Sequence, residues 1–135
     1  MQPNEITVKT FWGFFAAGEF EKTSTLFAAA SKVYWPCTGE VFNNHDNFIK
    51  VNRQYPGKHK ITLEKMVSCA DTVVTVVLVE SVFDDHPAPL FFRATSFFKF
   101  AGDRISEINE YWAEVIEPPE WRIKSGLSER YAASR

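Results

Sequence analysis

The feature that most constrains the fold is a change in the spacing of apolar residues near residue 59. Before it, Val8, Phe11, Trp12 and Phe15 fall at helical spacing and form one apolar stripe. From His59 onward, apolar residues either alternate with polar ones or run together in β-branched and aromatic stretches, a pattern typical of strands. These strand-like runs cover residues 59–69, 72–83, 91–100 and 104–115, with turn signals between them. Helices followed by strands predict an α+β fold in which N-terminal helices close one face of a curved antiparallel sheet.

The first third of the chain contains further signals for helices and one strand. Asn4 is the expected N-cap of the first helix, and Gly18 lies where its C-terminal cap belongs. The spacing of apolar residues over 20–27 predicts a second short helix that frays into Ala28–Ala30. The stretch Lys32–Trp35 predicts a strand, which the following proline ends.

A third helix is predicted after this strand. Asn43 or Asn44 is its N-cap, and Phe48, Ile49 and Val51 form its buried face. The length of 135 residues fits one domain, which we place at residues 1–122, followed by a polar C-terminal tail at residues 123–135.

The aromatic content is high, with 16% Phe, Trp and Tyr. Thirteen Phe, four Trp and four Tyr exceed what a small core usually needs, and an aromatic-walled cavity is one use for them. Such a cavity would take a small apolar or aromatic molecule.

Charge and cysteine content exclude several partners and point to a compartment. The net charge is −2 with acids and bases interspersed, so neither nucleic acid nor an anionic membrane is an expected partner. Cys37 and Cys69 predict two free thiols in a reducing cytoplasm. The N-terminus lacks a signal-peptide pattern, and the most apolar run, Val73–Val79, is too short to span a bilayer.

Several short strings occur in an order that is similar to a known superfamily. They are FAAGEF at residues 15–20, LFA at 26–28, VYWP at 33–36, FKF at 98–100, RISEINEYW at 104–112 and PEWR at 119–122. Over residues 5–122 the chain resembles the nuclear transport factor 2-like superfamily, in its SnoaL-like polyketide-cyclase and ketosteroid-isomerase branch. The resemblance implies a cone-shaped sheet, a cystatin-like α+β barrel, wrapped around a helix with an apolar pocket open at one end.

The positions that the ketosteroid isomerases use for catalysis hold other residue types here. The resemblance places Trp35 where those enzymes have a catalytic Asp before a proline. Phe11 and Ser96 stand where they have an oxyanion-binding Tyr and a protonated Asp. None of the three replacements can take a proton from carbon or present that carboxylic acid, so ketosteroid isomerase activity is not expected.

Glu110 is the main catalytic candidate. On the last strand, alternation places it on the same face as Ile108 and Trp112, and the resemblance implies that this face lines the cavity. A carboxyl group among aromatic rings would have a raised pKa and could act as a general acid or base. The alternatives are a Glu on the outer face, or one that pairs with Arg93. Alternation places Arg93 with Lys99 on the solvent or dimer face, which we favour for it.

A wider set of residues could form the ligand site around this carboxyl group. His45 and Tyr55 are candidate polar helpers in catalysis, because imidazole titrates near neutrality and a Tyr hydroxyl can donate a hydrogen bond. The candidate wall residues, most of them aromatic, are Trp12, Phe15, Tyr34, Trp35, Phe48, Ser96, Phe98, Ile108 and Trp112. Aromatic residues at this spacing also fit an ordinary core, and that alternative stays open.

No motif for a metal or an organic cofactor is present in the sequence. His45, His59 and His86 lack the spacing of a zinc site, and the glycines do not form a P-loop or a dinucleotide-binding pattern. We therefore expect neither a metal nor a cofactor.

Two functions from different classes fit these observations equally well. The first is a cofactor-independent dehydratase, isomerase or cyclase that uses Glu110 on a small apolar substrate. The second is a non-catalytic ligand-binding or dimerisation module. For both functions we expect a homodimer that forms through the outer face of the sheet, because Val73–Phe83 has apolar residues on both faces.

Overall fold

A computed structural model describes residues 1–131 and shows three helices, one 3₁₀ helix and six strands in that range. The helices are α1 (Pro3–Ala16), α2 (His45–Gln54) and α3 (Glu120–Lys124), and the 3₁₀ helix covers Phe20–Leu26. The strands are β1 (Phe27–Trp35), β2 (Glu40–Phe42), β3 (Lys58–Cys69), β4 (Thr72–Val82), β5 (Leu90–Ala101) and β6 (Arg104–Glu114). The predicted α+β fold is confirmed.

The strands form one curved, unclosed sheet in the order β2-β1-β6-β5-β4-β3. The long strands β3 to β6 pair antiparallel as neighbours, as the predicted meander requires. The predicted antiparallel sheet contains one parallel pair, which β1 forms with β6. About half of the chain lies between these two strands, so no tight turn forces them to run in opposite directions.

Helices α1 and α2 pack on the concave side of the sheet and form the core with it. Val8, Phe11, Trp12 and Phe15 of the first apolar stripe are all buried. They pack against buried residues of the sheet, among them Val33, Val73, Val77, Phe98 and Ile108. The inner face of the sheet is therefore the apolar one, and candidate site residues on it lie in the core.

The ends of the first helix differ slightly from the prediction. Gln2 rather than Asn4 is the N-cap, and its backbone N–H donates to the Glu5 side chain at 3.1 Å. Pro3 is the first residue of the helix. Proline suits this position because the backbone N–H that it lacks would have no partner within the helix. Gly18 follows the helix at φ +72°, so the predicted glycine at its C-terminal end is confirmed.

The predicted extension of a second helix into Ala28–Ala30 is wrong. The helix that precedes these residues is 3₁₀ and ends at Leu26, and β1 begins at Phe27 rather than at Lys32. Phe27 is buried and lies opposite Ile105 of β6, so packing in the sheet outweighs the helix preference of the alanines. The third helix begins as expected, with the Asn44 side chain accepting the Asn47 N–H at 3.2 Å.

The end of the described chain is largely exposed. Helix α3 crosses the predicted boundary between residues 122 and 123, and Trp121 is 63% exposed. Residues 132–135 of the predicted tail lie outside the described residues. No helix within residues 1–131 is long and apolar enough to cross a membrane.

Candidate functional site

Glu110 lies inside the cone on β6, two residues after the buried Ile108. Its side chain is only 7% exposed, and it is the one buried carboxyl group among residues 1–131. Its two oxygens each accept a hydrogen bond, Oε1 from Trp35 Nε1 at 2.9 Å and Oε2 from Ser96 Oγ at 3.0 Å. Loss of water around the carboxylate raises its pKa above the ordinary value, and the two hydrogen bonds oppose this only in part.

The two partners of Glu110 come from the two strands beside β6. Ser96 on β5 is directly opposite Glu110 in the antiparallel pair and is fully buried. Trp35 is the last residue of β1, which pairs with β6 on its other side. Ser96 is thus fixed by a continuous sheet, whereas Trp35 is half-buried and is followed by a turn.

Aromatic rings surround the indole of Trp35. Its ring meets Phe42, Phe48 and Trp112 edge-on, at centroid distances of 4.8, 6.3 and 6.4 Å. Trp112 is 37% exposed and lies at the rim of the cone, where its carbonyl accepts a hydrogen bond from the Cys37 thiol. The carboxyl group of Glu110 therefore sits below an aromatic cover that reaches the surface.

Most of the predicted wall residues deeper in the cone pack against one another. Phe11 stacks on Phe15 at 4.5 Å and meets Phe98 edge-on at 5.1 Å, and Phe15 lies 5.9 Å from Phe48. Ile108 is fully buried in the same cluster. At this depth the aromatic residues form a packed core, which was the alternative that the sequence left open.

A second buried hydrogen bond lies in the same row of the sheet. Trp12 Nε1 on α1 donates to Thr75 Oγ1 on β4 at 3.0 Å, and Thr75 is paired with Ser96 of β5. Thr75 and Phe42 were missed by the sequence analysis. The alternation of β4 places Thr75 on the inner face with Val73 and Val77, which would have pointed to it.

His45 is placed in a separate polar cluster at the start of α2. Its Nδ1 lies 2.8 Å from the hydroxyl of the fully buried Ser31, and its ring stacks on Phe27 at 4.9 Å. Its Nε2 lies 3.6 Å from the Asp46 carboxylate. All three of these contacts of His45 are with residues other than Glu110, so they do not join the two candidate catalytic groups.

Tyr34 and Tyr55 also lie away from Glu110. Tyr34 precedes Trp35 on β1 and is paired with Asn109, so alternation places its side chain on the opposite face from Trp35. Tyr55 follows α2, is 51% exposed and stacks on His59 at 4.9 Å. Neither Tyr34, a predicted wall residue, nor Tyr55, a predicted polar helper, is a hydrogen-bond partner of Glu110 within residues 1–131.

Arg93 lies on the outer face and is paired with a residue that the sequence analysis did not consider. Its Nε and Nη2 donate to the two carboxylate oxygens of Glu64 at 2.8 and 3.1 Å. The Arg93 guanidinium lowers the pKa of Glu64. The expectation that Arg93 faces outward is confirmed, and its pairing with Glu110 is excluded.

Other parts of the described chain offer no stronger site for chemistry. Among residues 1–131, no three His, Cys, Asp or Glu side chains cluster as a candidate metal site. An open depression of about 450 Å³ lies beside α3, lined by Glu117, Pro118, Glu120, Ile123, Lys124 and Arg130. Glu110 is not among the residues that line this depression, and most of the lining is charged and exposed, as expected of a surface feature.

Comparisons with known proteins agree with the fold. A family model described as a SnoaL-like domain matches residues 8–108. A Kribbella flavida protein provisionally described as a ketosteroid isomerase is similar in structure, with TM-score 0.80, 19% identity, and coverage of 98% of this chain and 92% of that chain. No curated protein matches the sequence.

Two further solved structures show how varied such proteins are. An NTF-2 like protein of unknown function from Burkholderia xenovorans has TM-score 0.73 and 16% identity, covering 96% of each chain. An M. tuberculosis epoxide hydrolase described as LEH-like has TM-score 0.69 and 12% identity, covering 82% of this chain and 83% of that chain. At these identities the likeness shows the fold and leaves the chemistry to the site itself.

Proposed function

Since this chain belongs to the SnoaL-like domain family, we propose that Glu110 is the acid–base group of a cofactor-independent enzyme that acts on a small, mostly apolar molecule. The observation that carries the proposal is the burial of Glu110, whose two hydrogen-bond donors, the Trp35 indole and the Ser96 hydroxyl, are both neutral. A carboxyl group in such surroundings keeps its proton to higher pH and is a stronger base once ionised. Isomerisation, dehydration and cyclisation all need a group of this kind.

The proposed reaction begins with proton transfer from carbon. The ionised Glu110 takes a proton from a C–H beside a carbonyl group, and the electrons of that bond form an enolate. In the free protein Trp35 Nε1–H and Ser96 Oγ–H donate to the two oxygens of Glu110 and hold its carboxyl group in position. Return of the proton to another carbon completes an isomerisation, whereas its delivery to a leaving hydroxyl completes a dehydration.

Proton exchange measured by NMR tests this role without knowledge of the natural substrate. A panel of small apolar ketones is incubated in deuterated buffer with the wild-type protein, with Glu110→Gln, and with Glu64→Gln as a matched control on the outer face. We expect exchange with wild-type protein and the control, and a loss of about 10²–10⁴-fold in Glu110→Gln. Equal exchange by Glu110→Gln and wild type would exclude the proposed role.

A non-catalytic ligand-binding or dimerisation module is the second candidate. The observation in its favour is the dense packing of Phe11, Phe15, Phe48 and Phe98, together with the position of Trp35 over Glu110. Under this alternative the wild-type protein exchanges no ketone proton faster than buffer does, although a small apolar or aromatic molecule still binds.

Both candidates include a homodimer formed through the outer face of the sheet. Phe97 and Tyr111 are 40% and 45% exposed there, and their rings meet at 6.0 Å beside the half-buried Val74 and Val76. An exposed apolar patch of this kind is typical of a surface that another protein chain covers. Light scattering at micromolar concentration is expected to give twice the 15.5 kDa chain mass, and a monomer would contradict the proposal.

The proposed location is the cytoplasm. Cys37 and Cys69 are both free and exposed, which suits a compartment that keeps thiols reduced. Fractionation of the source cells tests it.

A further inference from the structure

The strongest unexplained feature of the site is that one side chain of the protein fills the space directly above Glu110. The Trp35 indole places a flat bicyclic ring between Phe42, Phe48 and Trp112, with its N–H at 2.9 Å from Glu110 Oε1. This is the arrangement that a bound aromatic molecule with an edge donor would have. The second oxygen of Glu110 is held independently by Ser96.

We propose that Trp35 occupies the ligand position of this site, and that the ligand is a planar aromatic molecule with an N–H or O–H donor on its edge, such as an indole or a phenol. The inference rests on the proposed function of Glu110 and names its ligand class. On binding, the ligand donor replaces Trp35 Nε1–H at Glu110 Oε1, and the ligand ring replaces the indole between Phe42, Phe48 and Trp112.

Trp35 is the partner of Glu110 that is free to leave. Ser96 is fully buried on β5 and lies directly opposite Glu110, so its displacement would break the pairing of two long strands. Trp35 ends β1, is half-buried and precedes the turn at residues 36–39. Rotation of its side chain toward the rim exposes the slot and leaves the sheet intact.

The polar group at the floor of the slot sets the class of the ligand. A hydrocarbon in place of the indole would leave Glu110 Oε1 buried without a donor, which is unfavourable. A molecule that is rich in charge would lose its hydration against the rings of Phe42, Phe48 and Trp112. A flat, neutral ring with one edge donor satisfies both the carboxyl oxygen and the aromatic walls.

Indole and indene provide a matched pair of probes, because they have the same shape and only indole has an N–H. Trp35→Ala opens the slot, and calorimetry is expected to show that indole binds to it at least about tenfold more tightly than indene. In the double variant Trp35→Ala/Glu110→Leu the preference for indole is expected to vanish. Trp35→Leu serves if Trp35→Ala does not fold, as judged by circular dichroism.

The wild-type protein tests whether Trp35 itself moves aside. The chain has four tryptophans, so labelling with 5-fluorotryptophan gives four ¹⁹F signals, and Trp35→Phe identifies the signal of residue 35. Indole is expected to shift this signal, while the signal of the buried Trp12 stays in place. Binding of indole with an unchanged Trp35 signal, or equal binding of indole and indene by Trp35→Ala, would overturn the inference.

These results are separable from the role of Glu110 in proton transfer. Ketone exchange that depends on Glu110 but leaves the Trp35 signal unchanged would keep the proposed function and reject the ligand position. Selective indole binding without any Glu110-dependent exchange would keep the ligand position and support the non-catalytic candidate.

Discussion

Two glutamates on opposite faces of the same sheet have opposite properties. Glu110 points into the cone, its partners are the neutral Trp35 N–H and Ser96 hydroxyl, and burial raises its pKa. Glu64 lies on the outer face, where two hydrogen bonds from Arg93 lower its pKa. On folding, the Glu110 carboxyl group loses its hydration and receives only neutral hydrogen-bond donors. The Glu64 carboxylate stays partly exposed and pairs with the Arg93 guanidinium. The comparison teaches that the face of the sheet decides whether the pKa of a glutamate lies above or below its ordinary value.

The largest expected effect distinguishes the two faces by packing. Phe98 is fully buried and its neighbour Phe97 is 40% exposed on the other face. Phe98→Ala is expected to lower the free energy of unfolding by about 3–5 kcal/mol, because it leaves a cavity in the core. Phe97→Ala is expected to cost less than about 1 kcal/mol within one chain.

Urea unfolding at two protein concentrations measures both variants and separates the effect on dimer formation from the effect on the chain. Equal losses for the two variants at low concentration would contradict the assignment of inner and outer faces.

The next effect concerns the donor above Glu110. Trp35→Phe keeps an aromatic ring but removes the N–H, and is expected to cost about 1–3 kcal/mol because Glu110 Oε1 loses its partner. The same change is expected to raise the pKa of Glu110 further, because the hydrogen bond from Trp35 stabilises the ionised carboxylate and is lost in the variant.

Trp12→Phe is the matched control for this variant. It removes the N–H that donates to Thr75 and is expected to leave the pKa of Glu110 unchanged. Urea unfolding measures the free energy of unfolding of both variants, and NMR titration measures the pKa of Glu110 in each. A Trp35→Phe protein in which Glu110 titrates as in wild type would show that the indole N–H does not stabilise the carboxylate.

A third prediction concerns the dependence of stability on pH. Because the pKa of Glu110 is raised on folding, the folded state binds more protons than the unfolded state between the ordinary value of 4.5 and the raised value. The contribution of Glu110 to stability is therefore fully present below 4.5 and is lost as pH rises through the folded pKa.

Glu110→Gln is expected to remove this decline, because its amide cannot ionise and still offers an oxygen to Trp35. Thermal unfolding measured from pH 4 to pH 8 should show that the melting temperature of the wild type decreases relative to that of Glu110→Gln as pH rises. If the melting temperature of the wild type instead increases relative to that of the variant over this range, the ionised carboxylate is the form that folding stabilises.

The smallest effect belongs to the outer glutamate and has the opposite sign. The lowered pKa of Glu64 means that its contribution is present above 4.5 and is lost as pH falls through the folded pKa. Glu64→Gln is expected to cost about 0.2–1 kcal/mol at neutral pH, since the pair is partly exposed and is screened by salt. Unfolding at low and high salt measures it, and a cost that is independent of both pH and salt would exclude an ion-pair origin.

The sequence predicted the parts of the site that depend on periodicity. The helical spacing of α1 and the alternation of β6 placed Phe11 and Glu110 inside, and both are buried. The resemblance carried by residues 5–122 predicted the cone and the family. Alternation also predicted the outward direction of Arg93.

The sequence analysis put Trp35 and Ser96 in the same site as Glu110, but it did not predict their hydrogen bonds, which depend on pairing between distant segments. Trp35 and Ser96 meet Glu110 across 75 and 14 residues of sequence, and spacing within one strand cannot specify such contacts. The same holds for Arg93 and Glu64, which are 29 residues apart. Tyr34 was grouped with Trp35 although alternation separates neighbours on a strand, so the strand pattern itself contained that correction.

The most direct test of the central claim is the titration of the Glu110 carboxyl group itself. Protein labelled with ¹³C at the glutamate carboxyl carbons is followed by NMR from pH 3 to pH 9, and Glu110→Gln assigns the signal. We predict a pKa above the ordinary value of 4.5, and a higher one still in Trp35→Phe. A pKa at or below 4.5 would show that the carboxylate is stabilised as an ion, and Glu110 would then lack the property on which the proposed chemistry depends.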